Sequence, residues 1–133
     1  METKIIMIID DDEDDRFFFC SAVKKVYPSY ICEQAQNGKE ALEKLRDNFK
    51  LPDYIFLDLN MPVMNGSDCL RELKSDQVLK NIPVVIFTTS MYPPDVEFMR
   101  ELGAAYFMIK PLDLTTLPDE LVMAMKVVSL STV

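Results

Sequence analysis

The sequence predicts an α/β domain: five parallel strands in one sheet, with helices on both faces. Two observations carry this reading. Short apolar runs alternate five times with helix-patterned segments along the chain. The runs are apolar at nearly every position, the pattern of strands covered on both faces. At 133 residues the chain suits one domain. We read 1–133 as that domain, with a core over about residues 3–128 and "SLSTV" at 129–133 as a frayed tail.

The elements follow in order. "KIIMII" is the first strand. Glu13 to Tyr27 is patterned as a helix, with Phe17, Cys20, Val23 and Tyr27 three or four apart, and Pro28 ends it. "YICEQA" is the second strand, and Asn37-Gly38 signals a turn. "KEALEKLRDN" is a helix with Ala41, Leu42 and Leu45 on one side. "YIFLDL" is the third strand, and the loop "NMPVMNG" leads to a helix around Ser67–Asp76. "PVVIFTTS" is the fourth strand. Pro94 suits the first turn of a helix to Leu102, which Gly103 caps. "AYFMIK" is the fifth strand, and "DLTTLPDELVMAMKVV" after Pro111 is the last helix.

Composition excludes several functions. The charge of 14 basic against 22 acidic residues is −8, which argues against nucleic-acid binding. No apolar run reaches the roughly 18 residues that span a bilayer, and the start of the chain does not read as a signal peptide. Cys20, Cys32 and Cys69 have no metal-type spacing, so we expect reduced, mostly buried thiols and a cytoplasmic protein. The chain has no histidine, so a histidine base or triad is excluded, and phosphohistidine chemistry would have to come from a partner.

An open parallel sheet places its functional site beyond the carboxyl ends of its strands. Those ends deliver Asp10 and Asp11, Asp58 and Asn60, then Thr88, Thr89 and Ser90, and finally Lys110. Three carboxylates close together need a compensating cation. Mg²⁺ (or Mn²⁺) accepts such oxygen ligands, and a carboxylate beside it can serve as a nucleophile toward phosphorus. A lysine and a hydroxyl would then hold phosphoryl oxygens. Asp12 to Asp15 read as the opening of the first helix, where its positive end tolerates them.

Four stretches at these strand ends resemble the receiver domain of two-component response regulators: "IIDDDEDD", "IFLDLNMPVMNG", "PVVIFTTS" and "MIKP". Each is common alone, and together they occur in order at matching positions. The resemblance covers about residues 3–128 and implies a flavodoxin-like (βα)5 fold with strand order 2-1-3-4-5. It implies that Asp58 is the phosphoacceptor, that Asp11 binds the metal directly and that Asp10 acts largely through water. Asn60 would offer its backbone carbonyl to the metal, and Thr88 and Lys110 would contact the phosphoryl group. Pro62 and Gly66 would shape the loop, and Pro111 would follow a cis peptide. Asn60 and Ser90 would flank the path of the hydrolytic water. Phe107 occupies the aromatic switch position coupled to Thr88, where tyrosine is frequent, and Thr89 stands where smaller residues are frequent.

The implied function is that of a stand-alone, chemotaxis-regulator-like receiver, not an enzyme. It would take a phosphoryl group from a histidine kinase or histidine phosphotransfer protein. Its target would bind the face of helix 4, strand 5 and helix 5, with no nucleic acid and no membrane involved. Three alternatives stand beside it. An aspartyl-nucleophile phosphatase of the haloacid-dehalogenase type would usually carry a second Asp where Asn60 stands. A flavodoxin-like cofactor binder would need a phosphate loop where this chain has carboxylates. A receiver-like module could also work without phosphorylation.

Overall fold

The computed structural model describes residues 3–47, 50–89 and 92–131. Five strands form one parallel sheet: β1 (Ile5–Ile9), β2 (Ile31–Ala35), β3 (Tyr54–Leu57), β4 (Val84–Thr88) and β5 (Tyr106–Ile109). Their order is β2-β1-β3-β4-β5, as the sequence predicts. The helices are α1 (Glu13–Val26), α2 (Gly38–Asp47), α3 (Gly66–Ser75), α4 (Pro93–Leu102) and α5 (Leu117–Ser131). Short 3₁₀ turns at Leu79–Asn81 and Leu114–Thr116 precede β4 and α5.

The unbroken apolar strands follow from two separate cores. Successive side chains of a strand point to opposite faces. Met7, Ile9, Ile55, Leu57, Val84 and Ile86 therefore meet Leu42, Leu45, Leu70 and Leu73 from α2 and α3. Ile6, Ile8, Phe56, Val85 and Phe87 meet Phe19 and Val23 of α1, together with Leu121 and Met125 of α5. All five residues of β1 and of β4 are buried, whereas the edge strands β2 and β5 are partly exposed.

Four local expectations need correction. The buried stripe of α1 is Phe19, Ala22 and Val23, while Phe17 is 63% exposed. Three consecutive phenylalanines fit a helical stripe in more than one phase. Contact of Phe19 with Phe56 and Phe87, at centroid distances of 4.8 and 5.6 Å, selects this one. Asn37 is a helix cap: its Oδ1 accepts the Glu40 N–H at 2.8 Å, and Gly38 already lies in α2. The tail expected to fray instead continues α5 through Ser131, because Ala124, Met125 and Val128 keep its face buried, and 132–133 lie outside the described residues.

The fourth correction concerns the thiols. Cys20 of α1 and Cys32 of β2 form a disulfide with Cα atoms 5.6 Å apart, and Cys69 is the free, buried cysteine. A separation of 12 residues resembles no motif, so only the folded proximity of α1 and β2 reveals the pair. Burial pushes the Cys69 thiol up to about 12. A thiol assay in denaturant without reductant is expected to find one reactive group per chain, and three after reduction. Closing a loop of this length is worth about 3 kcal/mol in the chain-entropy view, so reduction should lower the denaturation midpoint accordingly.

Candidate functional site at the carboxyl ends of the strands

Parallel pairing carries four groups to one rim. The Asp10 N–H donates to Ala35 O at 3.1 Å, and the Asp58 N–H donates to Ile9 O at 3.0 Å. The Lys110 N–H donates to Thr88 O at 2.6 Å, so the ladder continues one step past β4 and β5. Asp10 (0% exposed), Asp58 (6%) and Thr88 (0%) are the buried polar residues of the described chain. Asp11 is exposed at the mouth of the site.

The acidic run has distinct jobs residue by residue. Asp10 Oδ1 accepts the Asp12 N–H at 3.0 Å. Asp12 is the N-cap of α1, its Oδ1 accepting the Asp15 N–H at 3.1 Å. Glu13, Asp14 and Asp15 fill the first turn, where the helix dipole favours negative charge. Asp15 also turns back into the site, which the sequence reading missed. Its Oδ2 lies 2.8 Å from Lys110 Nζ. The available signal was only its place in the first turn of a helix that opens directly beyond β1. Arg16 adds a second tether, its guanidinium donating to Asp10 O at 2.8 Å.

Lys110 joins three carboxylates. Its Nζ is 2.6 Å from Asp10 Oδ2, 2.8 Å from Asp15 Oδ2 and 3.5 Å from Asp58 Oδ2, and the side chain is 11% exposed. Burial alone would lower the ammonium pKa, but hydrogen bonds to Asp10 and Asp15, with the charges of Asp10 and Asp58, outweigh it and raise it. Burial pushes Asp58 up to about 6; Lys110 opposes this and the Asp10 charge adds to it. Asp10 is raised by the same desolvation, partly offset by Lys110 and the Asp12 N–H. One ammonium therefore under-compensates the cluster.

The remaining demand fits a hard cation. Carboxylate oxygens of Asp10, Asp11 and Asp58 lie within 4.8 Å of one another, an oxygen-only donor set of the kind Mg²⁺ or Mn²⁺ takes. The Asn60 N–H hydrogen-bonds the Asp58 carboxylate, so this residue touches the site through its backbone. The Thr88 hydroxyl is fully buried and has no hydrogen-bond partner among the described residues. Such an orphan is costly unless something else satisfies it.

The loop after β3 holds Asp58 tightly. The Gly66 N–H donates to Leu59 O at 2.8 Å, and the Met64 N–H donates to Pro62 O at 2.8 Å across Val63. Val63 has φ 72°, a strained value for a β-branched residue, and the bond across it closes a γ-turn. Asn65 caps α3, its Oδ1 accepting the Asp68 N–H at 2.9 Å. Pro62 is exposed on this loop.

The other expected residues are placed differently. Thr89 is exposed, and Ser90 lies outside the described residues. Phe107 is half-buried against the α3–α4 side of the core, with the Arg100 guanidinium 5.6 Å from its ring centre. The expected cis peptide before Pro111 is corrected: no peptide bond among the described residues is cis. The trans form is the ordinary preference of an X–Pro bond, by about 0.5–1 kcal/mol.

The family model of the response regulator receiver domain matches residues 6–122. The chain belongs to this family, a receiver domain of two-component signalling. It is 33% identical over 88 residues to the chemotaxis protein CheY1 of Helicobacter pylori, which covers 66% of this chain and 70% of that protein. It is 35% identical over 104 residues to protein-glutamate methylesterase/protein-glutamine glutaminase 1 of Syntrophomonas wolfei, covering 73% of this chain but 28% of that protein. The chain thus matches little more than a quarter of the methylesterase. Among solved structures, the phosphorylated cyanobacterial phytochrome response regulator RcpA superposes with TM-score 0.87 at 31% identity, covering 99% of this chain and 97% of that one. The Mn²⁺-bound response regulator Rcp1 superposes with TM-score 0.81 at 29% identity, covering 98% and 96%.

Proposed function

We propose that Asp58 accepts a phosphoryl group from a phosphohistidine of a partner kinase or phosphotransfer protein. The observation that carries this is the pairing of a carboxylate cluster with an orphaned hydroxyl: buried Asp58 and Asp10 beside Lys110 and exposed Asp11, and Thr88 Oγ1 without a partner among the described residues. An Asp58 carboxylate oxygen forms the new bond to phosphorus. The bond from phosphorus to the donor imidazole nitrogen breaks, and that nitrogen keeps the electron pair. Lys110 neutralises the phosphoryl oxygens, and the Thr88 hydroxyl donates to one of them.

Asp10, Asp11, Asp58 and the Asn60 carbonyl would hold Mg²⁺ or Mn²⁺, which supplies charge neutralisation at the phosphoryl oxygens. The phosphorylated and Mn²⁺-bound structural relatives support this chemistry. The chain then signals and is not itself an enzyme of metabolism. Asn60 offers no acid or base for repeated turnover, which disfavours the phosphatase alternative.

Output runs through the face of α4, β5 and α5. Phe98, Ile109 and Met123 are exposed there, and Tyr106, Ile109 and Met123 line a groove of about 370 Å³. A new charge at Asp58 draws Lys110 and Thr88 toward it, shifting the population at that face and at Phe107. A cytoplasmic setting goes with an ATP-derived phosphohistidine. No helix among the described residues is long and apolar enough to cross a membrane, and the charge of −8 disfavours nucleic acid. In a reducing compartment the Cys20–Cys32 bond would be open to reduction.

Incubation with Mg²⁺ and a small phosphodonor is expected to add the mass of one phosphoryl group to the parent and none to Asp58→Asn. Equal uptake by Asp58→Asn would show that another residue is the acceptor. Uptake by neither protein would favour a receiver that works without phosphorylation.

A further inference from the structure

A second built cavity lies at the amino ends of the strands, away from the carboxylates. The five-residue strand β1 spans the distance between the two ends, roughly 17 Å. The cavity has a volume of about 510 Å³ and is lined by Lys4, Tyr27, Tyr30, Tyr54, Met125 and Lys126, with α5 closing its far side. That is the size of a small-molecule site.

Three tyrosines shape it. The rings of Tyr27 and Tyr30 are stacked, with centroids 4.6 Å apart and planes 15° from parallel. Tyr54 is buried, and its hydroxyl hydrogen-bonds Ser129 Oγ at 3.1 Å. Met125, also buried, supplies an apolar wall. Burial raises the Tyr27 pKa, and the neighbouring Tyr30 and Tyr54 add to the shift, so all three rings crowd one space.

The charged side chains that line the cavity are Lys4 and Lys126; the nearby Asp53 carboxylate, next to Tyr54, accepts the Ile5 N–H at 2.8 Å instead of joining the lining. Lys4 Nζ sits 5.8 Å from the Tyr54 ring centre. Neither Lys4 nor Lys126 has a carboxylate within 4.0 Å among the described residues. On a chain of net charge −8, two ammonium groups with no carboxylate partner among the described residues give this aromatic cavity a local surplus of positive charge. Such a cavity selects against cations. It favours a flat ring that can lie against tyrosine, carrying an acid that reaches the lysines.

We propose that this cavity is a second ligand site, for a planar aromatic molecule bearing a carboxylate. The ring packs against Tyr27, Tyr30 and Tyr54, and the carboxylate lies between Lys4 and Lys126. Nothing in this assignment depends on phosphoryl transfer at Asp58, and the two can fail separately.

The test is an NMR titration of the intact chain with 1-naphthoate. Saturable shifts are expected, confined to the amides of Lys4, Tyr27, Tyr30, Tyr54 and residues 125–130. 1-Naphthylmethylamine, with the same rings and the opposite charge, should bind at least about tenfold more weakly. Lys4→Met/Lys126→Met changes two exposed side chains and should weaken naphthoate by about fivefold to tenfold. The same double variant should leave neutral 1-naphthylmethanol unaffected. Equal binding of the amine, shifts elsewhere, or no saturation by roughly 10 mM naphthoate would overturn the assignment. So would dilution-dependent shifts of the same residues without ligand, which would give the cavity to a second copy of the chain.

Discussion

Lys110→Met is expected to destabilise the metal-free protein by about 3–5 kcal/mol near neutral pH, the cost of removing one partner from a buried ion pair. The reason lies in what the substitution leaves behind. Asp10 is fully buried and Asp58 nearly so, and Lys110 is the ammonium within 4.0 Å of both. Without it, both carboxylates stay desolvated beside each other with no countercharge. Even with Lys110 present, burial holds Asp58 at about 6 against an ordinary 3.8. The variant should raise both groups further.

The sign of the pH dependence follows from linkage. A carboxyl whose folded pKa is raised binds more protons folded than unfolded between the two values. Its stabilising contribution is full below about 3.8 and is lost as pH rises through about 6 in the parent. In Lys110→Met the loss is larger and extends to higher pH. Urea denaturation in chelator should therefore show a gap between parent and variant that narrows from about pH 8 to about pH 5. Excess Mg²⁺ should recover part of the gap by binding the folded state alone. A variant as stable as the parent at the higher pH would mean that the ammonium does not hold the cluster together.

The fold was legible because burial on both faces leaves a direct mark in sequence. A strand covered on one side alternates, whereas "IIMII" and "VVIFT" do not, and the structure buries all of both. The placement of the candidate site was legible for the same reason. Asp10, Asp58 and Thr88 end apolar runs, and a polar residue there has nowhere to point except the rim. What stayed hidden depends on side-chain direction and on contacts between distant segments. Asp15 looked like one more helix-opening acid until the turn of α1 aimed it at Lys110, 95 residues away. Phe19 could not be told from Phe17 without knowing how α1 rests on the sheet. The Cys20–Cys32 bond joins a helix to an edge strand and leaves no spacing motif. Asn37-Gly38 carries the chemistry of a turn and of a helix cap alike, and only the Glu40 N–H decides between them.

Gly66→Ala is expected to damage both stability and the site, although the residue carries no reactive group. A Cβ built there would stand 2.5 Å from Asp58 O and 2.6 Å from Leu59 Cα. Both are backbone atoms of the segment that presents the Asp58 carboxylate, so neither can rotate away. Relief requires α3 to move from β3, or the Asp58–Leu59 backbone to move from the Asp10 carboxylate. Overpacking of this kind costs about 1–3 kcal/mol, and backbone contacts place this case at the upper end or beyond. A shift of about 1 Å at Asp58, the proposed acceptor, is enough to cost roughly a hundredfold in rate. Gly38→Ala is the control. Its nearest contact is Met64 Sδ at 2.9 Å, the far part of a flexible side chain, with Cys69 Cβ at 3.0 Å. That variant should lose at most about 1.5 kcal/mol and keep its uptake of phosphate from the small donor. Uptake by Gly66→Ala should fall steeply even at low temperature, where the variant is folded by circular dichroism. If folded Gly66→Ala took up phosphate at the parental rate, the close approach of α3 would be a matter of packing alone, and the position of Asp58 would be set by β3.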